Sequence, residues 1–139
     1  MDLDSSLKQA GATQSSKLDW QLSAFDVQPR IRLVFGEGKI NELGDLSREL
    51  GGTRVLVVTD PGIVAAGHFD LALKILEEAG LKVFVFDQVH ENPTTADVAA
   101  CVEVARSNQV DLLVGLGGGS SMDTAKGCNF ILTNGGRMQ

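Results

Sequence analysis

Apolar residues occur along this chain in short continuous runs, separated by longer segments of mixed composition. The run Val55 to Val58 is a clear example, and Asp60, Pro61 and Gly62 interrupt the chain just after it. Continuous runs of this length are typical of strands that are covered on both faces, as in a parallel sheet. The pattern predicts strands at 31–35, 54–59, 83–86 and 111–116.

Between these runs the apolar residues recur at helical spacing, which predicts helices at 39–50, 68–79, 95–107 and 120–133. In 68–79 the apolar residues fall on one face and the charged residues on the other. Strands that alternate with helices of roughly 12 residues indicate β-α-β units. The predicted fold class is therefore α/β, a Rossmann-like parallel sheet with helices on both faces.

Ligands bind such sheets at the carboxyl ends of the strands. The positions of interest are therefore Asp60, residues 87–92 and residues 115–121.

The glycine-rich stretch 115–127 follows a predicted strand and precedes a predicted helix. Glycine lets a ligand approach the backbone closely, and the unpaired N–H groups at a helix start attract a phosphate. The phosphate loop G-x-x-x-x-G-K-[ST] is absent, and the dinucleotide fingerprint G-x-G-x-x-G is nearly met, with Ser120 in the last place. Ser120 and Asp123 fit a capping box. The stretch indicates either phosphate binding or a glycine turn before an ordinary capped helix.

The composition excludes several classes of protein. A net charge of −6 without any basic run argues against a nucleic-acid surface, and no apolar run is long enough to span a membrane. The acidic start of the chain lacks the apolar core of a signal peptide, so we expect a cytoplasmic location. The two cysteines, Cys101 and Cys128, fall in predicted helices and are expected to be reduced and buried.

Two regions are predicted along the chain. Residues 1–26 are polar and rich in Ser and Gln, which favours a flexible N-terminal arm. Residues 27–139 form the predicted dinucleotide-binding α/β domain.

Three residues outside the glycines have both a structural and a functional interpretation. Asp60 follows a strand, where a carboxylate can bind the ribose hydroxyls of NAD and repel the 2′-phosphate of NADP, or simply form a turn before Pro-Gly. Asn92 precedes Pro93, and its amide forms a turn or contacts the cofactor. Lys126 either pairs with Asp123 on one helix face or adds positive charge to a phosphate site. Neither His68 nor His90 has metal-ligand spacing.

The segment Gly117-Gly118-Gly119-Ser120-Ser121-Met122-Asp123-Thr124-Ala125-Lys126 resembles the Gly-Gly-Gly-Ser-x-x-Asp-x-Ala-Lys signature of the iron-containing (group III) alcohol dehydrogenases. Other short segments agree in the same order along the chain, over about residues 27–137. These segments are Phe35-Gly36-x-Gly38, Val58-Thr59-Asp60, Ala66-Gly67-His68, Phe86-Asp87 and Asn92-Pro93.

The resemblance implies an NAD-binding domain followed by an all-helical domain that carries the metal ligands, an Asp and several His, for Fe²⁺ or Zn²⁺. It implies that Asp60 contacts the adenosine ribose and Asn92 the cofactor, with NAD preferred over NADP. Within 115–127, it places Gly118, Gly119 and Ser120 at the pyrophosphate, and Gly117 and Ser121 are further predicted cofactor-binding residues. It places Asp123 near the nicotinamide side of the cleft, with Lys126 nearby.

The chain ends before any counterpart of the helical domain, so we expect these 139 residues to bind cofactor without turning over an alcohol. The implied whole enzyme is a homo-oligomer, such as a dimer, that converts a small alcohol and NAD to an aldehyde or ketone and NADH. Two alternatives stay open: a fragment of an enzyme like dehydroquinate synthase or glycerol dehydrogenase, and a stand-alone nucleotide-binding module.

Overall fold

The computed structural model describes residues 31–136. The predicted arm, 1–26, lies outside these residues, so it stays a prediction, as does the extent of the domain at 27–139. Contacts within the chain group Val34–Gln139 into one compact unit. Its described elements are a 3-10 turn Lys39–Glu42, α1 Leu43–Glu49, β1 Arg54–Val58, α2 Pro61–Ala65, α3 His68–Glu78, β2 Lys82–Phe86, α4 Thr95–Ser107, β3 Leu112–Gly115 and α5 Gly119–Asn134.

The three strands form one parallel sheet in the order β2-β1-β3. Alternate residues of β1 enter two separate cores. Leu56 and Val58 pack with α4 and α5. Val55 and Val57 pack with α1 and α3. The predicted α/β fold with helices on both faces of a parallel sheet is confirmed.

The predicted strand 31–35 is wrong, because these residues lie outside the sheet that the structure describes. The side chain of Phe35 is 90% exposed. A strand exists only through hydrogen bonds to a neighbouring strand, and an apolar run by itself does not specify such a neighbour.

The segment after β1 also differs from the prediction of a simple break. Pro61 begins α2, since proline is well suited to the first helical position, where its missing N–H costs no hydrogen bond. Within the described residues, no helix is both long and apolar enough to cross a membrane.

Thr59, the residue after β1, ties the carboxyl ends of all three strands together. Its N–H donates to the Phe86 carbonyl at 2.8 Å, and its carbonyl accepts from Val89 N at 3.3 Å. Its hydroxyl donates to the Leu116 carbonyl at 2.8 Å. The residue is fully buried, so these bonds are shielded from water.

Cys101 on α4 and Cys128 on α5 are both free and fully buried in the same core cluster. The neighbouring Cys128 thiol and burial raise the pKa of Cys101 above its ordinary range. A protonated, buried thiol is a poor nucleophile. The expectation of reduced, buried cysteines is confirmed.

We predict that Thr59→Val lowers the free energy of unfolding by about 1–3 kcal/mol, because the Leu116 carbonyl loses a buried donor while the side-chain volume is unchanged. Urea denaturation measures the change. Thr124→Val is the matched control. Thr124 is also fully buried, but its hydroxyl bonds only to Ser120 O, four residues earlier in the same helix. A loss for Thr59→Val no greater than for Thr124→Val would contradict the role given to Thr59.

We also predict that a thiol reagent such as DTNB labels neither cysteine in the folded chain and both in denaturant, since both thiols are buried. Absorbance of the released thiolate counts the labelled groups. Rapid labelling of one thiol without denaturant would contradict the burial of the thiols between α4 and α5.

Candidate functional site

The register of the sheet brings three loops to one edge. Val58 pairs with Phe86 on one side and with Gly115 on the other, so β1, β2 and β3 end at the same level. The following segments, which start at Thr59, Asp87 and Leu116, therefore leave the sheet side by side, as expected for a ligand site in an α/β fold.

Gly117 closes the turn that follows β3. Its φ of +138° lies in a region that side chains avoid. A Cβ at this position would lie 2.9 Å from Ser121 Oγ and 3.0 Å from Asp60 Oδ2. The absence of a side chain at Gly117 therefore lets the glycine loop lie directly against Asp60.

Gly118 and Gly119 are different, because the protein itself leaves the space beside them open. A Cβ built on either residue would meet no atom within 4 Å. Gly118 is the N-cap of α5, with extended backbone, and no side chain caps this helix. The first N–H groups of α5 thus have no acceptor within the helix and none from a side-chain cap.

The predicted capping box of Ser120 and Asp123 is wrong. The first helical hydrogen bond runs from Met122 N to Gly118 O at 3.2 Å, so the helix begins one residue before Ser120. Ser120 therefore lies inside the first turn, where its side chain cannot act as the N-cap.

Asp60 acts as the N-cap of α2. Its Oδ1 accepts hydrogen bonds from Gly62 N at 2.9 Å and from Ile63 N at 3.1 Å. Its Oδ2 accepts one from Ser121 Oγ at 3.3 Å, which joins the end of β1 to the first turn of α5. The structural alternative for Asp60, a turn before Pro-Gly, differs from the structure, in which Asp60 caps a helix that begins at Pro61. An ionised carboxylate has about four acceptor positions, so Oδ2 keeps capacity for a ligand hydroxyl.

A cavity of about 350 Å³ opens between these loops. Four of the nine predicted site residues line it: Asp60, Gly118, Gly119 and Ser120. Gly117 and Ser121 lie against Asp60. The remaining lining residues are Pro61, Val89, His90 and Glu91.

The other three predicted residues lie away from this cavity. Asn92 is exposed in the left-handed region, with φ +56°. Lys126 lines a separate groove of about 590 Å³ between β3 and α5, and Asp123 is exposed. Of the ion pairs between described residues, none joins Lys126 to Asp123, so the structure does not contain the predicted pair on the helix face.

A pair of residues at the mouth of the cavity was not predicted from the sequence. His90 Nδ1 lies 2.8 Å from Asp97 Oδ1. Asp97 Oδ2 accepts from Thr94 N at 2.7 Å and from Thr94 Oγ1 at 2.9 Å, which completes a capping box at the start of α4. The signal was present, since Thr94-x-x-Asp97 has the same pattern that was assigned to Ser120 and Asp123.

These contacts fix the charge of Asp97. The hydrogen bond from the Thr94 backbone, followed by those from His90 and the Thr94 hydroxyl, lowers the pKa of Asp97 to about 2. The carboxylate is therefore ionised throughout the neutral range and holds one ring nitrogen of His90.

The described residues contain no group of three or more His, Cys, Asp and Glu that could hold a metal ion.

The family model for iron-containing alcohol dehydrogenase matches residues 29–139. Alcohol dehydrogenase 4 of Saccharomyces cerevisiae (strain YJM789) is 39% identical over 104 residues, which cover 75% of this chain and 27% of that protein.

Two solved structures are similar as well. A 1,3-propanediol oxidoreductase has a TM-score of 0.72 and 38% identity, over 74% of this chain and 27% of its own. The sulfoacetaldehyde reductase of Bifidobacterium kashiwanohense, solved in complex with NAD⁺, has a TM-score of 0.72 and 28% identity, over 83% of this chain and 30% of its own.

The chain thus spans about a quarter of the length of the curated relatives that it matches. Because the family model covers residues 29–139 and the loops of the site lie within that range, this chain belongs to the iron-containing alcohol dehydrogenase family.

Proposed function

We propose that this chain binds NAD, with the pyrophosphate at the start of α5 and the adenosine ribose at Asp60. The observation that carries the proposal is the open space beside Gly118 and Gly119, which adjoins uncapped N–H groups and a cavity that Asp60 also lines.

The charge and the open space at the start of α5 support the proposed position of the pyrophosphate. The start of a helix carries partial positive charge, and its free N–H groups donate to anionic oxygens. Residues with a side chain at positions 118 and 119 would fill the space that a phosphate needs in order to reach these groups. Ser120 lines the same cavity and supplies a hydroxyl.

The geometry of Asp60 supports the proposed position of the ribose. Its Oδ1 is engaged by two N–H groups of α2, and Oδ2 accepts only the longer bond from Ser121. The free capacity of Oδ2 suits a ribose hydroxyl, whereas a 2′-phosphate at this position would meet a like charge. The proposed cofactor is therefore NAD rather than NADP.

Asn92, Asp123 and Lys126 belong to the proposal by resemblance to the family. Asn92 would contact the cofactor from the loop after β2, and Asp123 and Lys126 would lie toward the nicotinamide side. Lys126 is exposed and lines the groove beside β3, so its ammonium group is accessible to a ligand.

The proposed reaction of the whole protein is oxidation of a small alcohol, with hydride transfer to NAD that yields an aldehyde or ketone and NADH. In this family the substrate oxygen is polarised by a metal ion, a role for which the described residues offer no ligand group. In the proposed reaction, the described residues bind and orient the cofactor.

We predict that Gly119→Ala weakens NAD binding about tenfold or more without destabilising the fold. Alanine is a better helix former than glycine at a helical position, and here its methyl group would meet no protein atom. The methyl group would instead occupy the space assigned to the pyrophosphate. Calorimetric titration with NAD gives the affinity, and thermal unfolding reports stability.

Unchanged NAD affinity in Gly119→Ala, at equal thermal stability, would show that the pyrophosphate does not bind at this position. Absence of any NAD binding by the unmodified chain, with ADP-ribose also inactive, would overturn the proposed function.

We predict that Asp60→Asn raises the affinity for NADP relative to NAD by about fivefold or more, because it removes a like charge near the 2′-phosphate. Asparagine caps helices about as well as aspartate, so the start of α2 should be preserved. Titration with both nucleotides at one pH and salt concentration measures the ratio. The same ratio in both chains, with α2 intact by thermal unfolding, would place the ribose elsewhere.

A further inference from the structure

His90 is held at the mouth of the cavity by Asp97, which is partly buried. The Asp97 side chain is 12% exposed and receives two hydrogen bonds from Thr94, whereas the His90 side chain is 75% exposed. The imidazole ring is therefore fixed at one nitrogen and accessible to a ligand over most of its surface.

The contact with Asp97 decides which nitrogen faces a ligand. An ionised carboxylate accepts a hydrogen bond from Nδ1–H, which leaves Nε2 as the free ring nitrogen. In the part of the chain that the structure describes, Nε2 has no hydrogen-bond partner. Neutral His90 thus offers an acceptor at Nε2, and protonated His90 offers a charged donor.

The order of the strands places His90 relative to the proposed ligand. Along the sheet edge, the glycine loop follows β3, Asp60 follows the central β1, and His90 follows β2. With the pyrophosphate at the glycine loop and the ribose at Asp60, the next position along this edge is that of a group attached to the ribose.

The charges that face the cavity are otherwise negative. Its ionisable lining residues are Asp60, Glu91 and His90, and Asp97 lies directly behind His90. Among residues 31–136, no lysine or arginine lines it. His90 is therefore the one described lining residue that can bring positive charge to a ligand here, and histidine changes its charge between about pH 5 and 8.

We propose that His90 is a specificity-determining residue, which hydrogen-bonds the ribose side of the dinucleotide through Nε2 and, when protonated, allows a 2′-phosphate to bind beside Asp60. This inference rests on the proposed NAD site. It makes the discrimination between NAD and NADP dependent on pH.

The direction of the pH dependence follows from the linkage between proton binding and NADP binding. A phosphate next to His90 favours the protonated ring, so NADP binding takes up a proton and NADP affinity rises as the pH falls. NAD has a hydroxyl at this position, so its affinity changes less. We expect the NADP-to-NAD affinity ratio to rise about threefold between pH 8.0 and 6.5.

The test is calorimetric titration of the 139-residue chain with NAD and with NADP at both pH values and constant ionic strength. Buffers of different ionisation enthalpy give the number of protons taken up. His90→Gln keeps a hydrogen-bonding side chain that does not titrate. His68→Gln is the matched control, because His68 is the only other histidine in the sequence and is exposed at the start of α3, outside the cavity.

The proposal predicts that His90→Gln removes most of the pH dependence of the NADP-to-NAD ratio and reduces the proton uptake with NADP, whereas His68→Gln changes neither. The 2′-phosphate also takes up protons near pH 6, and that contribution remains in both variants. Equal pH dependence in the unmodified chain and in His90→Gln overturns the role of His90.

The experiments distinguish a failure of the role of His90 from a failure of the proposed NAD site. If NAD binds and Gly119→Ala weakens it, but His90→Gln behaves like the unmodified chain, the role of His90 is wrong and the NAD site stands. If neither nucleotide binds the unmodified chain, the proposed function is wrong and the role of His90 falls with it.

Discussion

The hydrogen bonds of Thr59 are the constraint on which the site depends. Its N–H, carbonyl and hydroxyl bind Phe86, Val89 and Leu116, so one buried residue links the three segments that leave the sheet. Parallel strands by themselves bring loops to the same edge, but loops exposed to solvent vary in conformation. Thr59 fixes the separation of these loops before any ligand arrives, which is the condition for a pre-formed site.

The two helix starts at this edge are treated in opposite ways. The start of α2 is satisfied within the protein, since Asp60 accepts from its first N–H groups. The start of α5 is left without a side-chain cap. A carboxylate of the protein thus lies at the start of α2, whereas no side chain caps the start of α5. The bond from Ser121 to Asp60 holds the two helix starts in one arrangement.

The sequence was sufficient to predict those strands and helices that depend on a local pattern of apolar and polar residues. The apolar runs located β1, β2 and β3, and helical spacing located α1, α3, α4 and α5 within a few residues of their observed ends. The strand predicted at 31–35 failed because pairing is not a property of a single segment. The capping box was assigned to Ser120 rather than Thr94 because the same pattern occurs twice, and only backbone geometry distinguishes the two.

The site was predictable in its residue types but not in its assembly. Gly118, Gly119, Ser120 and Asp60 were identified from glycine spacing, strand ends and the family resemblance, and they line one cavity. The bond between Asp60 and Ser121 joins residues that are 61 positions apart and has no signature in a single sequence. For the pair of His90 and Asp97, the sequence shows only the capping-box pattern of Thr94 and Asp97, not the contact with His90.

The uncapped start of α5 also links this chain to the supply of its proposed ligand. A ligand that binds only the folded state at a concentration of 100 times its Kd adds about 2.7 kcal/mol to stability, out of a typical total of about 5–15 kcal/mol. Part of the folding free energy of this domain would then come from a molecule that the cell makes. A fall in that molecule would leave more of the chain unfolded and open to proteolysis, so cofactor supply would influence how much of the protein survives.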